Sequence, residues 1–81
     1  MNIELLRQLS EAPGVPGREE RIRELLMPHF KKAFDKVEVD AMGTILARKK
    51  ASKKSDAKKL LIATHIDEIG FYVRHIDDKG F

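Results

Sequence analysis

The stretch Lys59-Leu60-Leu61-Ile62-Ala63-Thr64 most constrains what this chain can fold into. It is apolar on successive residues rather than on alternate ones, the pattern of a strand covered on both faces. Such a strand needs neighbours beside it and a packed layer on each side. Two helices can cover one face, and the rest of the 81 residues offers little for the other. A chain of this size hides only about 60% of its unfolded surface on folding, and a self-contained core supplies only ~3–5 kcal/mol unless something staples it. Disulfides cannot be that staple, because there are no cysteines. Their absence also excludes a Cys-based zinc site and a thiol nucleophile. The 42% hydrophobic content is that of a globular rather than a disordered chain.

Ahead of that stretch, the apolar periodicity changes once. Ile3, Leu6 and Leu9 recur at helical spacing, with Leu5 widening the stripe and Asn2 placed to cap the start, so a helix is expected from Asn2 to Ala12. Pro13-Gly14-Val15-Pro16-Gly17 ends it. A second helix is expected after Gly17, with Arg18-Glu19-Glu20 in its first turn and Ile22, Leu25, Leu26, Phe30 and Ala33 on its buried face. Pro28 lies inside that pattern, where a kink or a restart is expected. After Asp35 the period becomes two. Val37, Val39 and Ala41 alternate with Glu38 and Asp40, Met42-Gly43 makes a turn, and Thr44 to Lys49 is the next strand. Beyond the Lys59–Thr64 strand, Phe71 to Ile76 reads as another, and Asp77-Asp78-Lys79-Gly80 as a hairpin turn with glycine at the left-handed position. The residues thus give an α/β class, two N-terminal helices followed by mixed β strands.

Charge is concentrated rather than spread. Residues 48–59 hold Arg48, Lys49, Lys50, Lys53, Lys54, Lys58 and Lys59 against Asp56, a net +6 within a whole-chain +3, so the other 69 residues carry −3. A basic run can hold phosphates, but this one has no aromatic residue for base stacking, and a solvated loop is the plainer reading. Nucleic acid is therefore not the expected partner. The longest apolar run, Leu60–Ala63, is four residues, against the ~20 needed to cross a bilayer. Met1 is followed by Asn-Ile-Glu rather than by a secretory pattern. The expectation is a cytoplasmic chain without a membrane partner.

The chemistry-bearing segment is Thr64-His65-Ile66-Asp67-Glu68-Ile69-Gly70, at the end of the strand that reads as fully buried, where α/β sheets gather their ligands. In an extended backbone His65 and Asp67 point to one side and Ile66 to the other. An imidazole can bind a divalent metal through one nitrogen while a carboxylate holds its other N–H. On spacing alone, however, the commoner arrangement is a strand-end histidine hydrogen-bonded to a nearby aspartate. One histidine and two acids do not complete a zinc site. His29, on the second helix, and His75, in an alternating stretch beside Arg74, read as ordinary residues.

Four elements in order, Pro13-Gly14-Val15-Pro16-Gly17 with Glu19 or Glu20, Val37 to Ile45 with its Asp40-Ala41-Met42-Gly43, His65 to Phe71, and Ile76 to Phe81, closely resemble the start of metallopeptidase family 42. These are the glutamyl, deblocking and tetrahedral aminopeptidases, some of them labelled cellulase M or endoglucanase. The likeness covers essentially the whole chain. Thr64, Ile66 and Thr44 stand where the family often has Ala, Met and Asn, all mild departures.

The resemblance implies a fragment of an α/β/α zinc-peptidase catalytic domain. Residues 1–70 would be its N-terminal part, and 71–81 the first strand and turn of an inserted β-rich dimerisation domain. It implies that His65 is a ligand of one metal in a two-metal centre, zinc or cobalt, and that Asp67 is the catalytic acid that orients His65. The parent would remove N-terminal residues from peptides and form a homo-oligomer built from dimers, up to a dodecamer. The 81 residues alone, holding one ligand, would bind no metal and be inactive. The alternative is a small basic binding module using residues 48–59 on nucleic acid or another anionic surface. A third reading is assembly through exposed β edges. Nothing marks two acids as the pair a glycoside hydrolase needs.

Overall fold

The computed structural model describes residues 2–53 and 55–81. Helix α1 spans Ile3–Glu11 and is opened by Asn2, whose side chain accepts a hydrogen bond from the Leu5 N–H at 3.0 Å, the expected cap. Helix α2 spans Glu20–Ala33, so Arg18 and Glu19 precede it rather than forming its first turn. It does not restart at Pro28: residues 20–33 form one helix, with Pro28 on its exposed side, where water can serve the carbonyl that a proline leaves without a partner. Ile22 is buried, Leu25, Leu26 and Phe30 are half-buried, and Ala33 is exposed, contrary to its expected place on the buried face.

Strands β1 (Lys36–Val39) and β2 (Ile45–Arg48) pair antiparallel, with Val37 opposite Ala47 and Val39 opposite Ile45. The turn between them is set by Asp40. Its carboxylate accepts from the Met42 and Thr44 N–H groups at 2.9 Å each, its N–H donates to the Thr44 carbonyl, and its carbonyl accepts from Gly43. Gly43 has φ +87°, which only glycine adopts at little cost. Asp77 repeats the arrangement bond for bond with Lys79, Gly80 and Phe81, and Gly80 has φ +85°. Arg23 ties α2 to the first turn, its Nη1 donating to the Gly43 carbonyl at 3.2 Å. At the other end of the hairpin the Lys49 ammonium donates to the Ala33 carbonyl and the Asp35 carboxylate accepts from the Lys50 N–H.

The two later strands do not form. Among the described residues, 59–64 and 71–76 have no ladder partner, and the sheet is made of β1 and β2. Leu60, Leu61 and Ile62, expected to be covered on both faces, are 85%, 88% and 77% exposed. A strand's backbone groups need a hydrogen-bonded neighbour; β2 lines a shared groove with Leu61 and Ile62, but no ladder joins them among the described residues. The α/β class stands as two helices and an antiparallel pair. Among the described residues the buried apolar core is Ala12 and Ile22.

Candidate metal centre

The His65–Gly70 segment lies in neither helix nor strand, and it is the loop between α1 and α2 that receives it. Gly14 is buried, and a Cβ there would overlap the Ile22 side chain. Its carbonyl accepts from the Glu68 N–H at 2.8 Å. A Cβ on Gly70 would overlap Val15, and the Tyr72 hydroxyl donates to the Pro16 carbonyl at 2.9 Å. Residues 14, 15 and 16 thus meet 68, 70 and 72 in that order, the two stretches running in the same direction. The Pro13–Gly17 segment stops a helix, as its composition requires, and it also forms the seat of the candidate site.

His65 and Asp67 come together as their spacing expects. The His65 Nδ1 is 3.2 Å from the Asp67 carboxylate Oδ1 and 3.0 Å from the Asp67 carbonyl oxygen. Both oxygens are acceptors, so this nitrogen carries the proton and donates; the tautomer follows from its partners. In the neutral ring Nε2 is then left with its lone pair, on a side chain 83% exposed beside an Asp67 side chain only 39% exposed. That is the arrangement of a histidine ready to ligate through Nε2 while a carboxylate sets its orientation. Ile66 is half-buried, with its carbonyl over Gly14.

The remaining candidates do not converge on this pair. Glu68 is exposed and contributes its backbone N–H, while His29 and His75 are exposed. Among the described residues no group of three or more His, Cys, Asp or Glu side chains could hold a metal ion. A catalytic zinc takes three protein ligands and a water, so the donor chemistry here fits one position of such a centre. The basic loop is exposed at every described position from Arg48 to Lys59, Lys54 lying outside the described residues. No helix among the described residues is long and apolar enough to cross a membrane.

Sequence reasoning placed Gly70 in the segment and read Gly14 and Val15 as a helix stop, but it missed that the two stretches meet, and it missed Tyr72. A glycine inside an otherwise strand-like stretch signals a close backbone approach, and Gly70 carries that signal. Nothing local to Tyr72 or Val15 announces a partner more than fifty residues away.

Comparison with known proteins bears on the same segment. A family model described as M42 glutamyl aminopeptidase matches residues 43–81, which include His65 to Gly70. An Acetivibrio thermocellus protein named as an aminopeptidase is 42% identical over 78 residues, which is 96% of this chain and 22% of that protein. FrvX of Escherichia coli (strain K12), also named as an aminopeptidase, is 40% identical over 81 residues, 100% of this chain and 22% of its own length. The lysyl aminopeptidase of Pyrococcus furiosus is 39% identical over 79 residues, 96% of this chain and 22% of that enzyme. The chain therefore spans about a fifth of the length of these relatives. No solved structure gives a significant match. With likeness at this level along nearly all of its length, and with the family match running through the His-Ile-Asp-Glu-Ile-Gly segment, the chain belongs to the M42 glutamyl aminopeptidase family.

Proposed function

We propose that this chain contributes part of the active site of an aminopeptidase that removes N-terminal residues from peptides. His65 supplies one metal ligand through Nε2, and Asp67 orients it. The observation that carries this reading is the pair of Asp67 oxygens around the His65 Nδ1, which holds the proton of the neutral ring on Nδ1 and so leaves its lone pair on Nε2. Zinc or cobalt suits an imidazole nitrogen with oxygen co-ligands. Two such ions, when bound, lower the pKa of a water and polarise a carbonyl. The part this chain plays is narrower: it presents one imidazole in one tautomer and holds its other nitrogen with an acid. With a single ligand, the 81 residues alone hold metal weakly and do not hydrolyse peptides. In the complete enzyme, residues 71–81 lead into a β-rich dimerisation unit of a cytoplasmic homo-oligomer.

The test uses a longer chain of this family that includes residues 1–81. Asp67→Ala should lower metal affinity or peptide hydrolysis by roughly 10–100-fold, the usual effect of losing a ligand's orienting partner. His65→Ala should remove bound metal and activity together, read by metal content and by release of N-terminal residues. Full metal content and full activity in His65→Ala would end the ligand assignment.

A further inference from the structure

Asp67 does more to His65 than its carboxylate alone accounts for, because one of the two acceptors around Nδ1 is the Asp67 backbone carbonyl, the nearer at 3.0 Å. That carbonyl shares a peptide plane with the Glu68 N–H. In a trans peptide the two point in opposite directions, and no peptide bond among the described residues is cis. The Glu68 N–H is held by the Gly14 carbonyl at 2.8 Å. Whatever fixes the N–H on one side of the plane therefore aims the C=O on the other, toward the imidazole.

We infer that the Pro13–Gly17 loop sets the tautomer of His65, acting through the Asp67–Glu68 peptide plane and latched by Tyr72. The inference rests on the metal-ligand reading of His65, since a fixed tautomer matters there for keeping Nε2 free. One hydrogen bond at Glu68 would leave the segment free to pivot. The second hold is four residues on, roughly 13 Å along an extended chain, where the Tyr72 hydroxyl donates to the Pro16 carbonyl. Between the two, Val15 occupies the space that Gly70 leaves by having no side chain. Gly14 can offer its carbonyl because Ile22 fills the place of its missing Cβ and seats the loop on α2. The Tyr72 hydroxyl acts through the Pro16 carbonyl that it holds, so it is a positioning residue.

The experiment measures the His65 ring-nitrogen chemical shifts by NMR on the 15N-labelled 81-residue chain, at one pH where the ring is neutral, with a peptide of residues 63–69 as reference. The wild type should hold His65 mainly with the proton on Nδ1, unlike the peptide. Gly70→Ala, which overlaps Val15, should move the tautomer ratio toward the peptide's by roughly threefold or more, the effect of losing about one net hydrogen bond. Adding Val15→Ala to Gly70→Ala removes the overlapping Cγ1 and should restore the wild-type ratio. Tyr72→Phe should shift the ratio the same way as Gly70→Ala. Unchanged amide shifts in α2 and the β1–β2 hairpin separate these effects from unfolding. A wild-type ratio in both Gly70→Ala and Tyr72→Phe would overturn the inference and leave the metal-ligand reading intact. So would a Gly70→Ala shift that Val15→Ala does not reverse. A wild-type chain with the peptide's ratio would overturn the tautomer assignment itself, and the inference with it.

Discussion

Two aspartates, Asp40 and Asp77, each organise a turn through the same four hydrogen bonds and close it with a glycine at positive φ. The two turns differ in what surrounds the glycine. A Cβ on Gly43 would stand 2.6 Å from the Arg23 Nη1, whereas nothing lies near a Cβ on Gly80. Gly43→Ala therefore carries a left-handed backbone penalty of roughly 1–2 kcal/mol and also displaces the guanidinium that bonds the Gly43 carbonyl. It should speed amide exchange throughout the β1–β2 pair, while Gly80→Ala leaves that exchange unchanged. Equal β1–β2 exchange in the two variants would refute this account of the Arg23 contact.

At the scale of elements, α1 holds itself together with little help from packing. It has nine residues and none is buried, which is short for an isolated helix. Its support is local: the Asn2 cap, Glu4 in the first turn, Arg7 bridging Glu4 and Glu11 at 2.6 Å each, and the Gln8 amide donating to Glu4. The Arg7 guanidinium, and then the Gln8 amide, hold the Glu4 carboxyl below the usual glutamate range. A carboxyl depressed in the folded state contributes stability above its ordinary pKa and loses it as pH falls through the lowered value. Both partners of the Arg7–Glu4 pair are more than half exposed, so the effect is small and screened by salt. Helical circular dichroism should therefore fall on acidification through and below the ordinary glutamate range, less steeply in Glu4→Gln and less steeply in high salt. A pH-independent helix signal would show that α1 does not depend on these pairs. The strands expected at 59–64 and 71–76 fail for the opposite reason: among the described residues they have no hydrogen-bonded partner strand, which no local interaction replaces.

For the whole molecule, the open second half dominates. The radius of gyration is 17.6 Å and the principal extents are 68, 28 and 17 Å, where a compact domain of this length has a radius of about 12 Å. The accessible surface is 7971 Å², against about 5,000 Å² for a compact protein of this mass. The excess includes Leu60, Leu61, Ile62, Ile69, Phe71 and Val73, each more than three-quarters exposed. Exposed apolar segments with unpaired backbone invite strand pairing between molecules. Small-angle scattering extrapolated to infinite dilution should return a radius near 17.6 Å, rising with concentration as copies associate. A value near the compact one at every concentration would mean that residues 60–81 fold back onto the helices, contrary to this structure.

Short-range physics accounts for most of what was legible in the sequence. The Asn2 cap, the stop at Pro13–Gly17, the change of period after Asp35, the turns at Gly43 and Gly80 and the meeting of His65 with Asp67 each depend on residues within a few positions of one another. Those interactions form wherever the local backbone is allowed to form them. The seating of Glu68 on Gly14, of Gly70 against Val15 and of the Tyr72 hydroxyl on Pro16 belongs to the tertiary structure, because it brings together stretches separated by more than fifty residues and leaves no local period behind. The same reason governs the apolar run at Leu60–Ala63. Its residues state a demand for cover on both faces, but cover is a property of neighbours, and only the tertiary structure shows that Leu60, Leu61 and Ile62 stay exposed among the described residues.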